Sequence, residues 1–382
     1  EKSMKAGIMV ITGGPGTGKT TLIRAIITAA EQNGLEPALM APTGRAAKRL
    51  AISSGRDADT IHKALEASVR ETGRTYFERN EANPLEEDLI IVDEASMLDI
   101  SLFYHLLCAL KDGARLILVG DIDQLPPVGA GEPLKDLMSW GYVPIVRLKR
   151  IFRQEEGSGI VENAALIRKG EMCVPDEAGE FRIVYAADDE DAYRIVMDLC
   201  RELNYGNEEN KMLLQVLSPM YRGVCGVDHL NESLQEMIHG EKVPDGMKFF
   251  PGDKVMQTRN DYEKGIYNGD VGTVWTATPQ KVFVRYFDKE VVYEGEERFD
   301  LRLAYAVTVH KSQGSEYETV IFILRPSQHN MLQRNLLYTG VTRARKNTIL
   351  VTAPDALRRA LAIQHTGNRY SLFLPFLNHE AL

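Results

Sequence analysis

Residues 13–20, with the sequence GGPGTGKT, decide the fold. They follow a β-branched and apolar run at 7–12 (GIMVIT) and precede a helix-forming run at 22–30 (LIRAIITAA). In the order strand, glycine-rich loop and helix, backbone N–H groups turn inward around a phosphate at the positive end of the helix dipole. The stretch therefore predicts a nucleotide phosphate-binding loop (P-loop), and its context disfavours a simple helix-capping turn.

The residue types in this loop predict ATP and Mg²⁺ as cofactors. Lys19 is expected to reach the β- and γ-phosphates, and the Thr20 hydroxyl is expected to ligate Mg²⁺. The residues expected to bind the nucleotide here are Gly13, Gly14, Pro15, Gly16, Thr17, Gly18, Lys19, Thr20 and Thr21.

Two further stretches carry candidate catalytic groups. The apolar run 89–92 (LIIV) ends in Asp93 and Glu94. Asp93 is expected to hold Mg²⁺ through its water shell, and Glu94 to polarise the attacking water as general base. In 120–129 (GDIDQLPPVG), Gln124 stands where its amide could sense the γ-phosphate. Alone, an acid pair or a proline-rich turn is an ordinary surface feature. After a P-loop, both are more strongly indicated as parts of a nucleotide site.

The 382 residues suit two or three domains, and strands alternating with helices predict mostly parallel sheets. We predict a first domain at 1–150 and a second at 151–242 and 301–382. Short strands and turns at 243–300 predict an inserted β-barrel. At about 66–85 a polar stretch predicts a β-hairpin insertion, whose turn at Thr72-Gly73 is flanked by Arg70, Arg74, Tyr76, Phe77 and Arg79.

Composition excludes some classes of protein. The net charge of −9 argues against a surface coated in basic charge, although a local basic channel remains compatible because salt screens charges beyond about 10 Å. The four cysteines are far apart and predict reduced thiols rather than a disulfide frame. A polar start and the lack of a long apolar run predict a cytoplasmic protein without a signal peptide or membrane contact.

Five ordered stretches resemble the motifs of superfamily 1 helicases, and they are most similar to the RecD-like branch. They are 93–96 (DEAS), 120–131 (GDIDQLPPVGAG), 151–154 (IFRQ), 307–317 (VTVHKSQGSEY) and 336–345 (LLYTGVTRAR). The resemblance implies an α/β protein of two RecA-like P-loop NTPase domains, with a β-hairpin pin inserted in the first and an SH3-like barrel in the second. It also implies a monomeric motor that moves 5′ to 3′ on single-stranded DNA and acts at duplex junctions.

The resemblance carries over to individual residues. Arg153 and Arg343 match the two arginines that reach the γ-phosphate across the interdomain cleft, whereas Arg345 is interpreted as a surface charge. Gly314 and Glu316 match the motif that closes over the nucleotide. The positions matching strand-tracking residues are Pro42, Thr43, Arg45, Thr60, His62, Ser218, Met220, Tyr221, Arg222, His310, Lys311 and Ser312. Taken one at a time, helix caps and core histidines explain such residues equally well.

One family feature is missing, and several functions compete. The family places an adenine-gripping glutamine well before the P-loop, and 12 residues precede Gly13, so we expect a fragment of a longer protein. The leading hypothesis is an ATP-dependent helicase in DNA repair or recombination. The alternative is a nucleotide-gated DNA-binding or assembly module that does not separate strands. RNA as substrate stays open, while a nuclease and a small-molecule kinase are disfavoured.

Overall fold

The computed structural model of the protein describes residues 6–69, 75–150, 158–244, 246–261, 263–287, 289–364 and 373–378. The chain divides into two units, and the division in the sequence falls after residue 155. Each unit contains a parallel sheet, as the alternation of strands and helices predicts.

The first unit is built on a six-stranded parallel sheet in the order β3-β2-β6-β7-β1-β8. Its strands, with those of a separate hairpin, are β1 (Ile8–Gly13), β2 (Pro37–Ala41), β3 (Asp59–Thr60), β4 (Ala67–Val69), β5 (Thr75–Phe77), β6 (Leu89–Val92), β7 (Arg115–Gly120) and β8 (Ile145–Leu148). Its helices are α1 (Lys19–Gln32), α2 (Gly44–Ser54), α3 (Ile61–Ala64), α4 (Ile100–Cys108) and α5 (Pro133–Trp140), with a 3₁₀ turn at Ala95–Met97.

Strand β6 has the burial pattern that is typical of a strand inside a parallel sheet. All four of its side chains are fully buried, because apolar clusters cover both faces of the sheet. A strand buried on both faces is a continuous apolar run rather than an alternating one. Parallel strands bring their carboxyl ends to one edge, so Gly13, Asp93 and Gly120 all lie at the same side of the sheet.

The predicted hairpin is confirmed as β4 and β5, which pair antiparallel with Ser68 opposite Tyr76. Arg70, Arg74 and the Thr72-Gly73 turn lie outside the described residues. Phe77 is buried in the core at the base of the hairpin. Its ring centroid lies 4.6 Å from that of His105 and 5.9 Å from that of His62. The hairpin is therefore anchored to α3 and α4 through one aromatic ring.

The second unit combines a parallel sheet with an antiparallel one. Its strands are β9 (Phe181–Tyr185), β10 (Leu214–Ser218), β11 (Lys254–Gln257), β12 (Val271–Ala277), β13 (Lys281–Arg285), β14 (Glu290–Glu294), β15 (Leu301–Leu303), β16 (Ala306–Thr308), β17 (Tyr317–Leu324) and β18 (Ala344–Thr352). Its helices are α6 (Gly159–Lys169), α7 (Asp189–Glu202), α8 (Glu208–Leu213), α9 (Val227–His239), α10 (Arg334–Val341) and α11 (Pro354–Ala362). Single 3₁₀ segments lie at Gly295–Asp300, His310–Ser312 and Pro326–Met331.

The parallel sheet of this unit has the order β16-β10-β17-β18-β9, and the inserted antiparallel sheet has the order β14-β13-β12-β11-β15. The insertion has its own apolar core around Phe249, Val274 and Val284. The predicted boundary at residue 300 is too early, because β15 pairs with β11 through Val255 and Leu303. Strand β15, which completes this sheet, is therefore also the segment through which the chain returns to the parallel sheet.

The last described helix, α12 (Phe373–Leu377), corrects the predicted domain boundary. Residues 301–382 were predicted to belong to the second domain, whereas this helix belongs to the first unit. Phe373 packs edge-on against Phe103 of α4, with ring centroids 5.8 Å apart. The apolar face of so short a helix needs an existing core to cover it. None of the helices in the described ranges has the length and apolar composition of a membrane span.

Candidate nucleotide site and nucleic-acid surface

The loop between β1 and α1 requires its glycines. Gly16 and Gly18 have φ values of 70° and 82°, a region that side chains with a Cβ rarely adopt. A Cβ on Gly13 would lie 2.6 Å from Thr17 Oγ1 and 2.9 Å from Leu148 Cβ. Within the described part of the chain, no side chain caps the first turn of α1. Its backbone N–H groups are the donors that bind a phosphate at a helix N-terminus.

The polar side chains of the loop fold over its backbone. Lys19 Nζ donates to the carbonyl oxygens of Gly13 at 2.7 Å and Gly14 at 3.0 Å. Thr17 Oγ1 also donates to the Gly14 carbonyl, at 2.8 Å. Thr20 is half-buried, whereas Thr21 is exposed on α1. The lysine ammonium therefore lies at the loop, where a phosphate would compete for it with two neutral carbonyls.

The acid pair follows β6 and is almost completely buried. Asp93 and Glu94 are each 4 % exposed, and the Glu94 N–H donates to Asp93 Oδ1 at 2.9 Å. Burial, reinforced by the Glu94 carboxylate, raises the pKa of Asp93 to about 6, while Arg49 and Lys19 oppose the rise. In the sheet, β6 is separated from β1 by β7 alone, so the loop and the acid pair lie at one edge. Two adjacent buried carboxyl groups are the kind of site that a divalent cation stabilises.

Glu94 has a backbone conformation that marks a constrained position. Its φ of 53° is in the left-handed region, which costs a residue with a Cβ on the order of 1 kcal/mol or more. Such strain persists only where the surroundings enforce it, and it is concentrated at functional sites. The end of β7 approaches the turn that follows Glu94 closely, since a Cβ on Gly120 would lie 2.9 Å from the Ser96 backbone nitrogen.

Gln124 lies buried just after β7. Its Nε2 donates to Asp121 Oδ2 at 3.3 Å. Asp121 also accepts from the backbone N–H of Asp123 at 3.1 Å. The carboxylate of Asp121 therefore orients the amide of Gln124, a supporting role that the sequence analysis did not assign.

Arg49 is the functional candidate in this unit that the sequence analysis missed. Its Nη2 lies 3.0 Å from Glu94 Oε1, across 45 residues of sequence. No local pattern predicts such a contact. The sheet order explains it, because α2 follows β2, Glu94 follows β6, and these strands are neighbours with Met40 opposite Val92.

In the second unit, two predicted nucleotide-contacting segments lie together. Arg343 is buried and donates through Nε to the Thr339 carbonyl and through Nη1 to the Ser315 carbonyl, at 3.1 and 3.2 Å. Gly314 has a φ of 72°. Glu316 accepts from Arg345 at 3.0 Å, so Arg345 is an exposed charge that also holds Glu316. Arg153 lies outside the described residues.

The DNA candidates of the first unit lie at helix starts. Thr43 caps α2 by accepting from the Ala46 N–H at 3.3 Å, and Thr60 caps α3 by accepting from the Lys63 N–H at 3.1 Å. Each hydroxyl still has its own O–H, which can donate to a phosphate oxygen. Pro42, Arg45 and His62 are half-buried beside them. Burial lowers the pKa of His62, which favours a neutral ring able to stack on a base.

The DNA candidates of the second unit separate into buried and exposed groups. Ser218 and Ser312 are fully buried, and their hydroxyls donate to the carbonyls of Cys225 at 2.6 Å and Val309 at 2.7 Å. These two hydroxyls hold loops together, which argues against the direct strand contact predicted for them. The remaining candidates are half-buried or exposed: Met220, Tyr221, Arg222, His310 and Lys311.

Two of these candidates, Tyr221 and Lys311, line an open groove of 760 Å³ in the second unit. Its basic and aromatic lining includes Tyr221, Lys248, Phe299, Arg302 and Lys311. Burial, and after it the Arg302 charge, lowers the pKa of both Lys248 and Lys311. The groove is also lined by the carboxylates of Asp228 and Glu232, so its charge is mixed. Lys248, Phe299 and Arg302 match no motif and were therefore not predicted.

Three family models match the chain in order. They are an AAA domain over residues 1–130, the SH3 domain of ATP-dependent RecD-like DNA helicases over 230–286, and a UvrD-like helicase C-terminal domain over 303–351. The SH3 match overlaps the inserted antiparallel sheet, and the AAA match includes the P-loop and the acid pair.

Curated relatives extend the similarity over nearly the whole chain. The ATP-dependent RecD2 DNA helicase of Deinococcus radiodurans is 39% identical over 369 residues, which is 96% of this chain and 50% of that protein. The RecBCD enzyme subunit RecD of Mycolicibacterium smegmatis is 33% identical, over 97% of this chain and 73% of that protein. The chain thus spans half the length of the first of these relatives.

Solved structures share the fold at lower identity. The Pif1 helicase from Bacteroides, in complex with ADP-AlF3 and ssDNA, has a TM-score of 0.58 at 21% identity and covers 99% of this chain and 94% of that one. The Pif1 helicase from Candida albicans has a TM-score of 0.56 at 20% identity, with 95% and 94% covered. At this identity the likeness concerns the fold.

Proposed function

Because the chain belongs to the RecD-like family of helicases, we propose that it is an ATP-dependent DNA helicase that moves 5′ to 3′ on single-stranded DNA and unwinds duplex. Its setting is DNA repair or recombination, and it works as a monomeric motor. The observation that carries the proposal is the placement of Lys19 and the buried pair Asp93 and Glu94 at one edge of the parallel sheet. A cation beside two acids is what phosphoryl transfer to water requires.

The residues at this edge have different roles in ATP hydrolysis. Thr20 and Asp93 fit Mg²⁺, which when bound neutralises charge on the β- and γ-phosphates. Lys19 exchanges its hydrogen bonds to two carbonyl oxygens for contacts with the same phosphates. Glu94 takes the proton of the attacking water, and Gln124, oriented by Asp121, holds that water or the γ-phosphate. Gly314 and Glu316 adjoin the nucleotide, and Arg153 and Arg343 supply further positive charge to the transferring group.

The DNA strand contacts the helix starts of the first motor domain and the groove of the second. In the first domain, residues 1–150, Pro42, Thr43, Arg45, Thr60 and His62 contact it. In the second, whose parallel sheet resumes at β16, it meets the half-buried or exposed residues Met220, Tyr221, Arg222, His310 and Lys311. Hydroxyls and cations at phosphates, with aromatic rings at bases, bind single strands without reading sequence.

Strand separation depends on the hairpin, which supplies the wedge. Ser68 and Tyr76 are directly paired, so a two-residue Asn-Gly turn can replace residues 69–75 while Phe77 stays in the core. Each opened base step costs roughly 1–2 kcal/mol, and a motor without a wedge has no rigid body against which to open it. We expect the shortened variant to lose most unwinding of a 5′-tailed duplex while keeping its single-strand-stimulated ATPase.

The matched control is Ser68→Ala, which changes an exposed side chain of the same hairpin and keeps its length. Both variants are measured for ATPase rate with oligothymidylate and for unwinding of a fluorescent 5′-tailed duplex. Unwinding by the shortened variant at the parent rate would place the wedge elsewhere. An ATPase that DNA does not stimulate, in the parent protein itself, would favour the assembly module over the motor.

A further inference from the structure

Helix α2 connects the proposed DNA surface to the catalytic base. It begins at Gly44, directly after its cap Thr43, and it carries Arg49 at its middle. With a rise of about 1.5 Å per residue, Arg49 lies roughly 8 Å along the axis from the start of the helix. Its guanidinium contacts Glu94 at 3.0 Å, with the side chains 30% and 5% exposed. One rigid element therefore touches both proposed sites.

The contact occupies Glu94. A carboxylate oxygen that accepts from a guanidinium is held by a strong and directional hydrogen bond, and the contact directs that oxygen away from other donors. Held in this arrangement, the Glu94 oxygen is engaged by Arg49 and is not presented to an attacking water.

The packing of α2 suits a small axial shift. The helix rests on the sheet through Ala46, Ala47 and Leu50, and the two alanines meet Ala41 at the end of β2. Small side chains form shallow ridges, and packed helices slide over such contacts by shear. Glu94 lies on a different element, directly after β6, in a constrained backbone position. A shift of α2 thus changes the distance between Arg49 and Glu94.

We propose that Arg49 is a positioning residue that restrains Glu94 and releases it when a strand phosphate binds at the start of α2. The inference rests on the proposed DNA-driven ATPase and adds the device that makes hydrolysis depend on DNA. Phosphate binding at Thr43 and the N–H groups of the first turn pulls the helix along its axis. Arg49 moves with it, and Glu94 becomes able to accept the proton of the attacking water.

The test is the ATPase of Arg49→Ala with and without a saturating oligothymidylate, read as kcat and KM for ATP. We expect the DNA-free kcat to rise about tenfold, the DNA-saturated kcat to change less than about twofold, and KM to stay the same. The stimulation factor, which is the ratio of the DNA-saturated kcat to the DNA-free kcat, therefore falls because the DNA-free kcat rises. Arg49→Lys keeps a cation without the planar fork, and we expect an intermediate DNA-free rate.

The control is Arg56→Ala, which removes an arginine just past the end of α2 that pairs with the exposed Glu31 at 2.7 Å. Its stimulation factor is expected to equal that of the parent. A fall of both kcat values in Arg49→Ala, with Arg49→Lys restoring them, would mean that Arg49 holds Glu94 in its productive position and would overturn the inference. A raised KM with unchanged kcat would overturn it as well, by making Arg49 a nucleotide contact. If DNA does not stimulate the parent protein, the proposed function fails too, whatever the variants do.

Discussion

Replacing Lys19 with alanine is expected to abolish ATP hydrolysis while leaving the fold intact. The ammonium donates to two loop carbonyls, Gly13 and Gly14, in a half-buried setting, so its loss costs little stability. In the transition state the same charge acts on the γ-phosphate, where nothing replaces it. The steady-state ATPase rate in the presence of single-stranded DNA measures the loss of hydrolysis. The midpoint of thermal unfolding measures whether the fold is intact.

The matched control is Lys281→Ala, which removes a lysine whose surface pair with Glu294 lies on the inserted antiparallel sheet. Exposed pairs contribute about 0–1 kcal/mol, so both the ATPase and the unfolding midpoint are expected to stay close to those of the parent. Retention by Lys19→Ala of more than about a tenth of the parent turnover would show that the P-loop assignment is wrong or that another cation substitutes.

Replacing Glu94 with glutamine is expected to lower kcat by a factor of about 10²–10⁴, the usual contribution of a general base. The amide has the shape of the carboxylate and its oxygen can still accept from Arg49, but it cannot take a proton. ATP binding is therefore expected to persist, measured as the Kd of a fluorescent ATP analogue beside the steady-state kcat.

Glu318→Gln serves as control, because Glu318 forms an exposed pair with Lys346 and lies in the other unit. Its kcat and nucleotide affinity are expected to match those of the parent. If Glu94→Gln instead lost nucleotide affinity while its kcat stayed the same, Glu94 would be a structural residue, and the general base would have to be sought elsewhere.

The nucleotide site could be predicted from sequence because its parts are local. Glycines that must adopt positive φ stand beside Lys19 in one loop, and the acid pair ends a strand whose continuous apolar run is legible by itself. Parallel topology then brings both to one edge. The barrel and the hairpin were predictable for a related reason, since short strands separated by turn residues signal antiparallel pairing.

The remaining features of the candidate sites depend on long-range packing, which the sequence alone does not show. The contact between Arg49 and Glu94 follows from β2 and β6 being neighbours, a fact that appears only once the sheet order is known. Ser218 and Ser312 match strand-tracking positions, yet their hydroxyls are satisfied by carbonyls of their own loops. A motif records which residue types occur together, and it does not record whether a side chain faces solvent.

We propose that ATP hydrolysis drives this chain 5′ to 3′ along one strand and thereby separates a duplex. The measurement that tests this compares ATP-dependent unwinding of three duplexes that differ only in having a 5′ single-stranded tail, a 3′ tail or blunt ends. We expect the 5′-tailed duplex to be unwound with Mg²⁺ and ATP while the other two stay intact. Unwinding of the 3′-tailed duplex instead, or of none of the three while single-stranded DNA still stimulates the ATPase, would contradict it.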